Sequence, residues 1–180
     1  MLYYIHGYLS EPNSTKGTLL KEKLNVKPIK YRNCLPQELI ISDCVERIKK
    51  EIQNDTKAVL IGSSLGGLLA AKTALESKNV KTLILLNPAI IPISEDITKI
   101  KDMPQRILKE MKDERLFKEK IPADIYILVG KKDIVVPNYW PVEFAKAQNA
   151  DIHFFNDDHS FTYNLKHLTT IISEILNKKN

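Results

Sequence analysis

The sequence predicts an α/β fold: a mainly parallel sheet of about six strands with helices on both faces. Three observations lead there. Five short apolar runs, Leu2–Ile5, Ala58–Ile61, Thr82–Leu86, Ile125–Val129 and Ile152–Phe155, are rich in Ile, Val, Leu and Tyr. All but the last lack polar alternation, as expected of parallel strands covered on both faces. Helical patterns lie between them, and strand–helix–strand order implies right-handed crossovers. Finally, 180 residues with 43% hydrophobic and 27% charged side chains suit one globular domain, residues 1–180, able to build its core without a disulfide or metal staple.

Taken in chain order, the first strand is Leu2–Ile5, and a weaker sixth strand candidate is Pro28–Tyr31. The clearest helix carries Ile41, Val45, Ile48 and Ile52 along one face. Further helical patterns are Leu65–Ser77, Val142–Gln148 and Leu165–Leu176. From Pro88 to Pro122 the rhythm breaks: Pro88, Pro92 and Pro122 enclose charged, weakly periodic sequence containing Met103, Met111 and Phe117. This segment, about 88–122, is expected to be a small cap inserted between two strands. No apolar run approaches the ~20 residues of a membrane span. The start resembles no export signal, so a cytoplasmic location is expected. Cys34 and Cys44 have no CxxC spacing or neighbouring Cys/His cluster and are read as reduced structural thiols.

Net charge is +5, and the excess is local: residues 1–90 hold 13 basic and 8 acidic side chains, residues 91–180 hold 14 of each. Lys16, Lys21, Lys23, Lys27, Lys30 and Arg32 make up the cluster. It is either a solvated face or a site that attracts acidic or phosphorylated ligands. No zinc-finger, homeodomain or RNP-type pattern accompanies it, so no nucleic-acid partner is expected.

The chemistry-bearing residues fall at strand ends. Gly62-Ser63-Ser64-Leu65-Gly66-Gly67 follows a strand and opens a helix, giving a G-x-S-x-G turn centred on Ser64. A serine on a strained turn needs neighbours without side chains, which Gly62 and Gly66 provide. The competing reading is a glycine-rich turn that only packs tightly or binds phosphate. A serine hydroxyl needs a base, usually a histidine oriented by a carboxylate. Asp133 and His159 follow in the required order, each in the loop after a later strand. Asp157 and Asp158 are alternatives to Asp133, or turn formers. His153 is expected to pack within a strand and His167 to face solvent. Donors for an oxyanion would be the N–H groups of Leu65, after the nucleophile, and Tyr8, in the His6-Gly7-Tyr8 turn, with His6 bracing that loop.

The order of His6-Gly7, Gly62 to Gly67, Asn87-Pro88-Ala89, Gly130 to Asp133 and His159 resembles the α/β-hydrolase superfamily. Within it the opening Tyr4-Ile5-His6-Gly7-Tyr8-Leu9-Ser10-Glu11-Pro12-Asn13-Ser14-Thr15-Lys16 is especially similar to the small YqiA-like esterases. The resemblance spans nearly the whole chain and is loosest over 93–121. It implies a compact α/β-hydrolase fold and a cytoplasmic serine hydrolase acting on small-molecule acyl esters or thioesters, with Ser64, His159 and Asp133 as triad. Neither a metal nor an organic cofactor is expected. The same residues permit acyl transfer or peptide cleavage, and a non-catalytic binding module on this scaffold is the reading from another class.

Overall fold

A computed structural model describes residues 1–178. Its six strands are β1 (Leu2–Ile5), β2 (Lys27–Pro28), β3 (Ala58–Ser63), β4 (Val80–Leu86), β5 (Asp124–Gly130) and β6 (Asp151–Phe155). They form one parallel sheet in the order β2-β1-β3-β4-β5-β6. The helices are α1 (Thr15–Leu24), α2 (Ile41–Ile52), α3 (Leu65–Glu76), α4 (Gln105–Met111), α5 (Arg115–Lys118), α6 (Tyr139–Gln148) and α7 (Leu168–Asn177).

Side chains alternate across a strand, so each central strand feeds two cores. Tyr3, Ile5, Leu60, Leu83, Leu85, Ile125 and Ile127 meet α2, α3 and α6 on one face. Tyr4, Ile61, Ile84, Leu86 and Leu128 meet Leu20 of α1 and Leu168, Ile172 and Ile175 of α7 on the other. The α2 stripe, Ile41, Val45, Ile48 and Ile52, is buried as its spacing predicts. Each of these side chains contributes about 1.5–3 kcal/mol by leaving water.

Three elements depart from the sequence reading. The expected strand Pro28–Tyr31 pairs with β1 only at Lys27 and Pro28; Ile29 and Tyr31 continue as buried, irregular chain. The basic stretch after the first strand folds as α1, opened by the Ser14 side chain accepting from the Gly17 N–H and closed by Asn25 in the left-handed conformation. Among its residues only Gly17 and Leu20 are buried, so its apolar face is too narrow to register as a periodic pattern. The pattern from Leu165 begins as a short 3₁₀ turn, Leu165–His167, before α7.

Between β4 and β5 the chain runs through α4 and α5. Ile107, Leu108, Met111 and Leu116 from this segment are buried in the first core. Its attachment is polar as well. Lys72 of α3 and Asp113 pair at 2.6 Å with both side chains 10% exposed, and Glu110 accepts from the Ile41 N–H at the start of α2 at 2.7 Å.

Candidate active site

The strand register sets the site. Ile5 pairs with Gly62, Ser63 with Leu86, Leu86 with Leu128 and Gly130 with Phe155, so β1, β3, β4, β5 and β6 end along one edge. The loops leaving that edge carry His6–Tyr8, Ser64, Asn87, Asp133 and His159. This carboxyl edge is where parallel α/β sheets hold ligands.

Ser64 sits at φ 55°, ψ −120°, a conformation that L-residues avoid. The close packing around it requires glycine. A Cβ on Gly62 would lie 2.4 Å from the Gly66 carbonyl oxygen, and one on Gly66 would lie 2.0 Å from the carbonyl oxygen of Ile5. The turn is tied down through its own backbone: the Ser64 N–H donates to Leu86, and the Ser64 carbonyl accepts from Gly67 and Ala89. Gly7 packs directly against the serine, since a Cβ there would be 3.4 Å from the Ser64 Cβ.

His159 Nδ1 lies 2.7 Å from Asp133 Oδ2. The Asp133 side chain is only 1% exposed, whereas that of His159 is 22% exposed and borders the cavity. The other Asp133 oxygen, Oδ1, accepts the N–H groups of Val135 and Val136 at 2.8 and 2.9 Å, which hold the carboxylate in one orientation. Asp157 and Asp158 are consumed by their own loop. Buried Asp157 accepts from the backbone of Asp158, Tyr163 and Asn164 and from the Asn164 side chain, and Asp158 accepts from Ser160 and Thr162. Hydrogen bonds from the Thr162 backbone, above all, lower the Asp158 pKa. Both are turn formers in this geometry.

The His6–Tyr8 turn is braced from several sides. His6 is fully buried, its ring stacked on Tyr31 at 4.3 Å, with Nδ1 2.9 Å from the Gly7 carbonyl oxygen. Burial lowers its pKa, which favours the neutral ring donating from Nδ1. Arg32 stands apart from the lysines of the basic cluster. It is buried, and its guanidinium donates to the carbonyls of Tyr8 at 2.7 Å and Ser10 at 2.8 Å and to Glu11 at 3.2 Å. Neither the Tyr8 N–H nor the Leu65 N–H has an acceptor among the described residues. Lys21, Lys23, Lys27 and Lys30 are exposed, and Lys27 pairs with Glu51.

Gly7, Tyr8, Ser64, Leu65 and His159 line one cavity of about 600 Å³. Ile100, Met103, Leu108 and Met111 from the 88–122 segment, with Val136 and Trp140, form an apolar wall. Lys16, Ser14, Thr15, Ser160 and Thr162 add a polar end.

Other sequence expectations divide. His153 is exposed on the edge strand β6 rather than packed, because β6 has a neighbour on one side only. His167 is exposed as expected. Cys34 is exposed and Cys44 buried, both free, and burial pushes the Cys44 thiol up to about 12. Sequence reasoning missed two residues. Arg32 has no sequence signal that separates it from the neighbouring lysines. Asn87, buried at φ 43°, accepts from the Gly130 N–H at 2.7 Å and donates to the carbonyls of Asp158 and His159 at 3.1 and 3.0 Å. The sequence signals for Asn87 are its place at a strand end before a proline and the likeness of Asn87-Pro88-Ala89 to the hydrolase pattern, and neither gives it a role.

The fold is that of the α/β hydrolases. More particularly, the chain belongs to an uncharacterised protein family, UPF0227, whose model matches residues 1–175. A search of curated proteins found no significant match. Among solved structures it is similar to Est1E from Butyrivibrio proteoclasticus with bound ferulic acid, at 19% identity and a TM-score of 0.79, covering 98% of this chain and 88% of that one. It is also similar to a monoacylglycerol lipase from Paleococcus ferrophilus, at 17% identity and a TM-score of 0.72, covering 99% and 94%. A hydrolase of the superfamily from Xanthomonas campestris, described as putative, shares 19% identity with a TM-score of 0.71, covering 98% and 96%.

Proposed function

We propose that this protein is a serine hydrolase cleaving carboxylic ester or thioester bonds of small acyl substrates. The observation that carries the reading is the buried Asp133 carboxylate held 2.7 Å from His159 Nδ1, beside the same cavity that Ser64 enters from its strained turn. The fold shared with esterase and lipase structures supports it.

Ser64 Oγ attacks the substrate carbonyl carbon while its proton passes to His159 Nε2. Asp133 accepts the Nδ1–H, which fixes the tautomer and stabilises the imidazolium. The carbonyl oxygen, now an oxyanion, takes the N–H groups of Tyr8 and Leu65. Collapse breaks the bond to the leaving alkoxide or thiolate, which receives the proton from His159. Water, deprotonated by His159, then attacks the acyl-enzyme, releasing the acid and restoring Ser64. The 88–122 segment acts as a cap, its apolar wall taking the acyl chain.

A fluorophosphonate probe tests the reading through the intact mass of the protein. One adduct, mapped to Ser64 and lost in Ser64→Ala, is expected. Folded protein that takes no adduct, or takes it elsewhere, favours a binding module instead.

A further inference from the structure

The cavity is chemically two-ended, and its polar end contains one ammonium group. Lys16, in the first turn of α1, reaches the cavity and donates from Nζ to the carbonyl oxygen of Ser160 at 3.0 Å. It makes no ion pair among the described residues; the carboxylate lining the cavity, Asp102, belongs to the 88–122 segment with Ile100 and Met103. Burial lowers the Lys16 pKa, and the nearby carboxylates of Asp158, Asp157 and Asp133 oppose that shift and favour the charged form. An ammonium group has three donors, and one carbonyl acceptor leaves two of them uncommitted. The remaining lysines of the basic cluster are exposed, so Lys16 is the member of that cluster placed to touch a bound molecule.

The bond to Ser160 also locates the charge. Ser160 follows His159, so the ammonium is anchored on the histidine side of the cavity. The histidine returns its proton to the departing oxygen or sulfur, which puts the leaving group on that same side. The acyl chain is left to the apolar wall.

We infer that Lys16 binds a negative charge on the leaving-group portion of the substrate, a carboxylate or phosphate carried by the alcohol or thiol. The preferred substrates are therefore esters or thioesters of an anionic alcohol or thiol. This assignment rests on the hydrolase reading for its orientation, since only that chemistry places the leaving group beside His159.

The test uses substrates differing in one charge: the hexanoyl esters of 4-hydroxybenzoate and of 4-hydroxybenzamide, with the 4-hydroxybenzamide monoester of adipic acid carrying its charge at the acyl end. The quantity read is the ratio of kcat/KM for each anionic ester to that of the neutral one, which cancels any general effect of disturbing the His159 loop. Removing a charge-assisted hydrogen bond should lower the benzoate ratio about tenfold in Lys16→Met, with a smaller fall in Lys16→Arg. The adipate ratio should stay within about twofold of its starting value, a change worth well under 1 kcal/mol. An unchanged benzoate ratio overturns the inference and leaves Lys16 as a support for the His159 loop; a fall confined to the adipate ratio overturns its placement. Calorimetric titration of Ser64→Ala with 4-hydroxybenzoate and 4-hydroxybenzamide separates this proposal from the hydrolase reading, because it needs no turnover. Tighter binding of the benzoate, abolished by adding Lys16→Met, sustains the anion site even if every ester proves inert. Equal binding of the two removes it.

Discussion

Replacing Tyr31 by Phe removes one oxygen from the core and, on the geometry here, should reach the chemistry through a single peptide plane. The Gly7 carbonyl accepts from His6 Nδ1 at 2.9 Å, from Tyr31 Oη at 3.2 Å and from the Ser10 N–H at 3.3 Å. In a trans peptide the C=O and the following N–H point in opposite directions. Three donors on the carbonyl of Gly7 therefore turn the N–H of Tyr8 away from them, on a loop that faces Ser64. Tyr31→Phe deletes one of the three while keeping the ring stacked on His6. The lost hydrogen bond costs about 1 kcal/mol of stability, which lowers Tm by roughly 2–4 °C for a chain of this size. An oxyanion donor is worth roughly 2.7–4 kcal/mol in the transition state. Loosening one constraint of three forfeits about a third of that, or roughly five- to tenfold in kcat. KM should change little, because the ground-state carbonyl carries less charge. Steady-state hydrolysis of a short-chain ester beside a thermal melt measures both. A lowered Tm with an unaltered kcat would sink the argument, showing that Tyr31 supports the core and not the Tyr8 N–H.

Asp133→Asn should cut kcat by roughly three to four orders of magnitude with the fold intact, since the imidazole loses its orienting charge; greater damage from Asp158→Asn would show that the acid is misassigned. Asp113→Ala should cost about 3 kcal/mol, because it strands the largely buried Lys72 ammonium. Urea unfolding checks this, and a loss under about 1 kcal/mol would mean that the Glu110 carbonyl, 3.4 Å from Lys72 Nζ, compensates. Burial would raise the Asp113 carboxyl, but hydrogen bonds from Arg115 and Lys72 outweigh it and hold the pKa well below the usual range. Its contribution is therefore present above the usual carboxylate range and is lost as pH falls through the depressed value. His6 behaves in the same direction from a different range. Its pKa is lowered from 6.5 by burial, so the unfolded chain takes up the proton first and stability should fall as pH drops below about 6.5. His6→Asn should flatten that part of the stability profile; an unchanged slope would place the titration elsewhere.

The sheet was legible because apolar runs and helical stripes are local patterns, and five of six strands lie where those patterns put them. The sixth shrank to Lys27–Pro28 because pairing with β1 ends there, although burial continues to Tyr31. α1 has no apolar stripe to read, because Leu20 is its one large buried side chain; the Ser14 and Asn25 caps are its available signals. Ser64, Asp133 and His159 could be named from motif and order alone, and the geometry brings the last two into contact. Arg32 could not be separated from its neighbours, because composition records charge and is blind to the carbonyls that surround it. Its acceptors, Tyr8 and Ser10, lie 24 and 22 residues away along the chain.

Asn87 shows why such residues matter for a site divided among loops. Asp133 and His159 leave the sheet from β5 and β6 on separate loops, and a contact as short as 2.7 Å between them needs those loops in fixed relation. Asn87 supplies it from β4. Its Oδ1 takes the N–H of Gly130, at the end of the strand that leads to Asp133, while its Nδ2 donates to the carbonyls of Asp158 and His159. One planar amide thus joins both loops, and its own backbone N–H is anchored on Leu128 of β5. A carboxylate in its place could accept from Gly130 but could not donate to the two carbonyls, and an alanine would leave all three partners without it. The left-handed backbone at φ 43° suits asparagine better than most residues and aims the side chain across the strand ends. The contact between His159 and Asp133 therefore depends on a neutral side chain from outside both of their loops.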